Sequence, residues 1–103
     1  MSLEEIRDML EQTGIPVAYR AFPDNQAPPL PFICYLFSAS NNFNADNIVY
    51  QPINQITIEL YTQEKDLAAE AAVERALAAH CWEKSEEYLD DENCYEIIYE
   101  IEV

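Results

Sequence analysis

The 103-residue chain holds one glycine, Gly14, one histidine, His80, and only five lysines and arginines. Each scarcity excludes something. Without glycine no loop can cradle phosphates on its backbone, so nucleotide chemistry of the P-loop or dinucleotide type is set aside. With five bases (Arg7, Arg20, Lys65, Arg75, Lys84) scattered along the chain against twenty acids, a formal charge of −15, the surface repels phosphate backbones and anionic membranes. Sequence-specific nucleic-acid binding and membrane docking are not expected. No apolar run approaches the ~18 residues that a bilayer requires.

Cysteine is sparse and odd in number: Cys34, Cys81 and Cys94. Met1 leads straight into a polar helix start, so no secretory segment is expected and the cysteines read as reduced and intracellular. Cys34 lies in an apolar run, where a free cysteine behaves as a small buried hydrophobe. A Cys–His nucleophile would need His80 and Cys81, but neighbours on a helix point about 100° apart, which is poor geometry for proton transfer. A zinc site would have to gather Cys34, Cys81, Cys94 and His80 without any C-x-x-C spacing. The acidic run Asp90-Asp91-Glu92-Asn93 offers too few ligands for calcium and reads as a solvated turn. Pro28-Pro29-Leu30-Pro31 reads as a stiff loop entering a strand before it reads as a ligand for a proline-binding module. No enzyme activity and no cofactor are expected.

What the chain does have is periodic apolar content, half of its residues. That places the charge on a folded body rather than on a disordered one. One domain is expected at this length, burying roughly 60–70% of its unfolded surface. Ser2 with Glu5 forms a capping box, and Leu3, Ile6 and Leu10 recur at helical spacing, predicting a first helix over about residues 3–13 closed by Gly14. Val17 to Phe22 alternates as a strand after Pro16, with Val17 and Tyr19 opposed to Arg20 and Phe22. Residues 23–31 form a loop. Phe32 to Phe37 reads as a central strand, and residues 38–47 as a long exposed loop or hairpin tip in which asparagines replace glycine. Ile48 to Gln51 is a short pairing piece. Asn54 to Thr62 alternates cleanly, with Ile56, Ile58 and Leu60 on one face. Residues 66–81, rich in alanine, form a second helix. The chain closes with a hairpin: Trp82 to Leu89, a turn at residues 90–93, and Cys94 to Val103. In that last strand Tyr95, Ile97, Tyr99, Ile101 and Val103 face the core, and Glu96, Glu100 and Glu102 face water.

The expected fold is therefore α+β, an antiparallel sheet of four to five strands with two helices packed on one face, in the order α-β-β-β-α-β-β. Glu70 and Glu74 fall inside the apolar arc of the second helix. Either the helix turns them to solvent, or they meet a base such as Arg20 or Lys84 across an interface.

Over nearly its whole length the chain resembles small prophage-encoded proteins of tailed phages of Gram-positive bacteria, in the head-to-tail joining and tail-terminator group. The resemblance is carried by Ile15-Pro16-Val17-Ala18-Tyr19 with Phe22; by Pro31-Phe32-Ile33-Cys34-Tyr35-Leu36; by Ala45-Asp46-Asn47-Ile48-Val49-Tyr50; by Ile58-Glu59-Leu60-Tyr61-Thr62 with Lys65-Asp66; and by Glu83-Lys84-Ser85-Glu86. The alanine-rich helix and the His80-Cys81 junction, where a glycine turn is more usual, depart from it. The resemblance implies a structural virion protein that self-assembles as a ring, commonly a hexamer, at the tail-neck junction. It would contact tail-tube and neck or connector proteins and reside in the host cytoplasm during assembly. A lumen lined with carboxylates would let DNA slide without sticking. Candidate interface residues are Asn41, Asn42, Phe43 and Asn44; Glu70 and Glu74; and Tyr88, Asp90 and Asp91. Phe43, apolar in a polar loop, either meets a partner or folds back on its own domain. The alternative is a different class: a small acidic adaptor or inhibitor that occupies a basic site on a host protein.

Overall fold

The computed structural model describes residues 1–40, 42–45 and 47–103. The elements are α1 (Leu3–Glu11), β1 (Val17–Tyr19), β2 (Phe32–Ser40), β3 (Phe43–Ala45), β4 (Ile48–Gln51), β5 (Asn54–Thr62), α2 (Leu67–Ala76), β6 (Trp82–Leu89) and β7 (Cys94–Glu102). Five strands form one sheet in the order β1-β2-β5-β7-β6, and β3 and β4 form a separate two-stranded sheet. The main sheet and the helices follow α-β-β-β-α-β-β, the expected order, with the β3–β4 hairpin inserted between β2 and β5.

One correction concerns direction. The sheet is mixed, because β1 runs parallel to β2, with Val17 opposite Ile33 and Tyr19 opposite Tyr35. A parallel pair needs a connection of about a dozen residues, and residues 20–31 supply it. β1 is also shorter than expected: Arg20 takes a left-handed φ of 67° and ends the strand while its N–H still donates to the Tyr35 carbonyl at 2.8 Å. The other pairings, β2 with β5, β5 with β7 and β7 with β6, are antiparallel.

The core lies on one face of this sheet. Ile33, Tyr35, Ile56, Ile58, Leu60, Ile97, Tyr99 and Ile101 pack with Ile6 and Leu10 of α1 and with Ala69, Val73 and Leu77 of and just beyond α2. The period-two pattern of the strands and the i, i+4 spacing of Ile6 and Leu10 make this possible. The capping box at Ser2 is present, with the Ser2 N–H donating to Glu5 Oε1 at 2.9 Å and the Glu5 N–H to Ser2 Oγ at 3.1 Å. Asp66 caps α2, its carboxylate accepting from the Ala69 N–H at 3.0 Å.

α2 stops five residues before its expected end. The chain has no glycine there to turn on, and Trp82 must already stand opposite Ile101. The helix therefore loosens through tighter turns, with the Ala78 N–H on the Arg75 carbonyl and the His80 N–H on the Leu77 carbonyl. Among the described residues no helix is long and apolar enough to cross a membrane.

Candidate functional site

The face of the sheet opposite the helices is built by register alone. Reading from β2 to β6, one row is Phe32, Tyr61, Glu96, Glu87; the next is Cys34, Glu59, Ile98, Ser85; the third is Leu36, Thr57, Glu100, Glu83. The rows grade from apolar at β2 to acidic at β6. Together they carry five glutamates and no lysine or arginine.

At the centre, Glu96 is 8% exposed although no helix covers it. This corrects the expectation that Glu96 faces water. Its neighbours shelter it: Tyr61 O–H donates to Glu96 Oε2 at 2.7 Å, and the Tyr61 ring packs on Phe32, which in turn meets Phe22 edge-on at 5.2 Å. Glu59 stands diagonally across from Glu96 on the neighbouring strand. Burial, and then the hydrogen bond and charge of Glu96, push the Glu59 carboxyl up to about 7, with Tyr61 and Arg20 opposing. Glu59 therefore keeps its proton close to neutrality, beside the buried Glu96 carboxyl. Burial first, then Glu59 and Glu96, push the Cys34 thiol up to about 11, which makes it an inert packing group, as its apolar setting predicts.

On the helix side lies a second ionic cluster. Glu70 is 2% exposed, with Lys65 Nζ at 2.8 Å from one carboxylate oxygen and Lys84 Nζ at 2.6 Å from the other. Lys65 also pairs with Glu86, and Lys84 with Glu74 at 2.8 Å; Tyr99 O–H completes the chain on Glu74 at 2.7 Å. Burial alone would raise the Glu70 carboxyl, but the two ammonium groups prevail and hold it below the usual carboxylate range. Glu74 is held low by Lys84 and Tyr99. Glu70 is thus not turned to solvent, and the two bases it meets, Lys65 and Lys84, belong to its own chain. The cluster ties α2 to the edge strand β6.

The remaining candidates divide between the two ends of the sheet. Asn41 lies outside the described residues, as do the side chains of Phe43 and Asn44, so the two alternatives for Phe43 fall outside them as well. Asn42 Oδ1 accepts from the Ile53 N–H at 3.1 Å, closing the base of the β3–β4 hairpin. Tyr88 is 48% exposed on β6, its ring 5.0 Å from Tyr95. Asp90 and Asp91 are exposed in the turn, which Asn93 closes with a φ of 52°. Because Gln55 pairs with Glu102 and Leu89 with Cys94, the hairpin arm and the β6–β7 turn lie at opposite ends. His80 and Cys81 line a groove of about 910 Å³ at the arm end, with Ser40, Gln55, Trp82 and Glu100. Among the described residues no three His, Cys, Asp or Glu side chains gather as metal ligands.

No family model and no curated protein matches the chain. The likeness to phage tail proteins rests on the sequence strings alone. Sequence reasoning missed the Glu59–Tyr61–Glu96 centre. The available signal was Cys34, Ile98 and Phe32, apolar residues on strand positions that alternate with the core, which a purely solvated face would not hold.

Proposed function

We propose that this chain is a structural protein of a phage or prophage particle, acting by assembly as a ring at the tail-neck junction. The observation that carries the reading is the β3–β4 hairpin. It pairs with itself rather than joining the main sheet, on a body whose extents are 48 × 26 × 23 Å. An isolated two-stranded hairpin is marginal in water, and another subunit or a tube protein would give it a surface to pack against. β6 adds an unpaired edge at the margin of the sheet, exposed along almost its whole length, which is a further surface for association. The acidic surplus would keep DNA from adhering to a ring lumen.

The test is to replace residues 42–51 by a short turn and to compare assembly with and without tail-tube protein. Assembly of the intact chain and its loss in the shortened one, with the body's circular dichroism unchanged, supports the proposal. Equal assembly by both chains, or by neither, counts against it. One observation favours the alternative, an acidic adaptor for a basic host protein: the helix-free face carries five glutamates and no base.

A further inference from the structure

We infer that the helix-free face of the sheet is a docking surface for an arginine-bearing protein surface, with a guanidinium seated against Glu59 and Glu96 and apolar groups of the partner on Phe32, Leu36 and Ile98. Charge complementarity selects the occupant. The three rows that make the face contain acids and apolar residues but no base. Both lysines of the chain are bound up in the Glu70 cluster on the helix side. Arg20 approaches Glu59 closely enough to lower its carboxyl, yet its own side chain is exposed. A second copy of this chain would bring glutamates against glutamates, so it is the wrong occupant.

Shape supports the same choice. Glu96 is 8% exposed and already accepts from Tyr61 at 2.7 Å, which fixes its carboxylate in one orientation. Glu59 lies diagonal to it, so two carboxyl groups flank one point on the sheet. A planar fork of N–H donors meets such a pair better than a point charge does. Half-buried Phe32, Leu36 and Ile98 surround that point and lower the local dielectric, which strengthens a pair formed there. The inference is independent of the tail-junction reading: an adaptor would use the face in the same way, and the test below uses the isolated chain without tube protein.

The experiment titrates the isotope-labelled chain with an alternating arginine–valine peptide and follows amide shifts. Parallel titrations use the same peptide with citrulline in place of arginine, E59Q/E96Q, and D90N/D91N as a control that replaces two carboxyl groups in the β6–β7 turn. Glutamine at position 96 still accepts from Tyr61, which preserves the fold's own contact. The inference expects shifts concentrated on residues 32–36, 57–61 and 96–100. It also expects binding weakened about tenfold or more by E59Q/E96Q and by citrulline, and little by D90N/D91N. Shifts spread over all acidic surfaces, equal weakening by the two double variants, or self-association that depends on Glu59 and Glu96 would each overturn it.

Discussion

Replacing Glu59 by glutamine should stabilise the protein, and only above mildly acidic pH. The carboxyl sits among Cys34, Tyr61, Ile98 and Glu96, with Arg20 the cation nearest in effect. Burial and the neighbouring acid raise it from its ordinary 4.5 to about 7. Across that window the folded chain holds a proton that the unfolded chain has released, so stability falls as pH rises and the loss is complete above about 7. At about 1.4 kcal/mol per pH unit the difference amounts to up to about 3 kcal/mol. E59Q removes the ionisation while its amide can still donate to Glu96. Thermal unfolding should therefore show E59Q melting about 10 °C above the parent near pH 8.5 and level with it near pH 4. The difference between the two chains isolates Glu59 from the general self-repulsion of a −15 protein. Melting curves that run parallel from pH 4 to 8.5 would refute the reasoning.

Three further substitutions probe other parts of the fold. Glu70→Ala leaves two ammonium groups around an empty site; because Lys65 and Lys84 remain 44% and 32% exposed, the loss should be about 2 kcal/mol by urea unfolding. Since Glu70 and Glu74 are held below their ordinary value, that contribution is present above about pH 4.5 and disappears as pH falls further, opposite in sign to Glu59. Thr62→Val should gain about 1 kcal/mol in the same assay, because Thr62 Oγ1 is buried with no hydrogen-bond partner among the described residues. Gly14→Ala should lose about 1 kcal/mol purely from its backbone, since Gly14 sits at φ 77° and nothing lies within 4 Å of an added Cβ.

Much of the fold was legible because its signals are local. The capping box at Ser2 and Glu5, the alternation of Ile56, Ile58 and Leu60, and the asparagine-closed turn of the last hairpin each specify an element without reference to distant residues. The parallel pairing of β1 was not legible, because it depends on where residues 20–31 lead the chain and not on any residue of Val17–Tyr19. The end of α2 was missed for a related reason: alanine favours continuing the helix, and the demand that Trp82 meet Ile101 overrides it. At the candidate site the pattern showed an acidic face but not its inner structure. Glu96 and Glu100 occupy equivalent positions in the alternation, yet only Glu96 lies beside the rings of Tyr61 and Phe32, which is a fact of register between strands. Glu70 is a similar case, since its two lysines come from the loop before α2 and from β6.

Light scattering after size exclusion, at low and moderate salt and with and without the tail-tube protein, bears most directly on the claim that the chain acts by assembly. The account predicts a defined ring-sized species, of about six copies if it follows the terminator pattern, formed alone or on the tube. A salt-insensitive monomer that ignores the tube protein would contradict it.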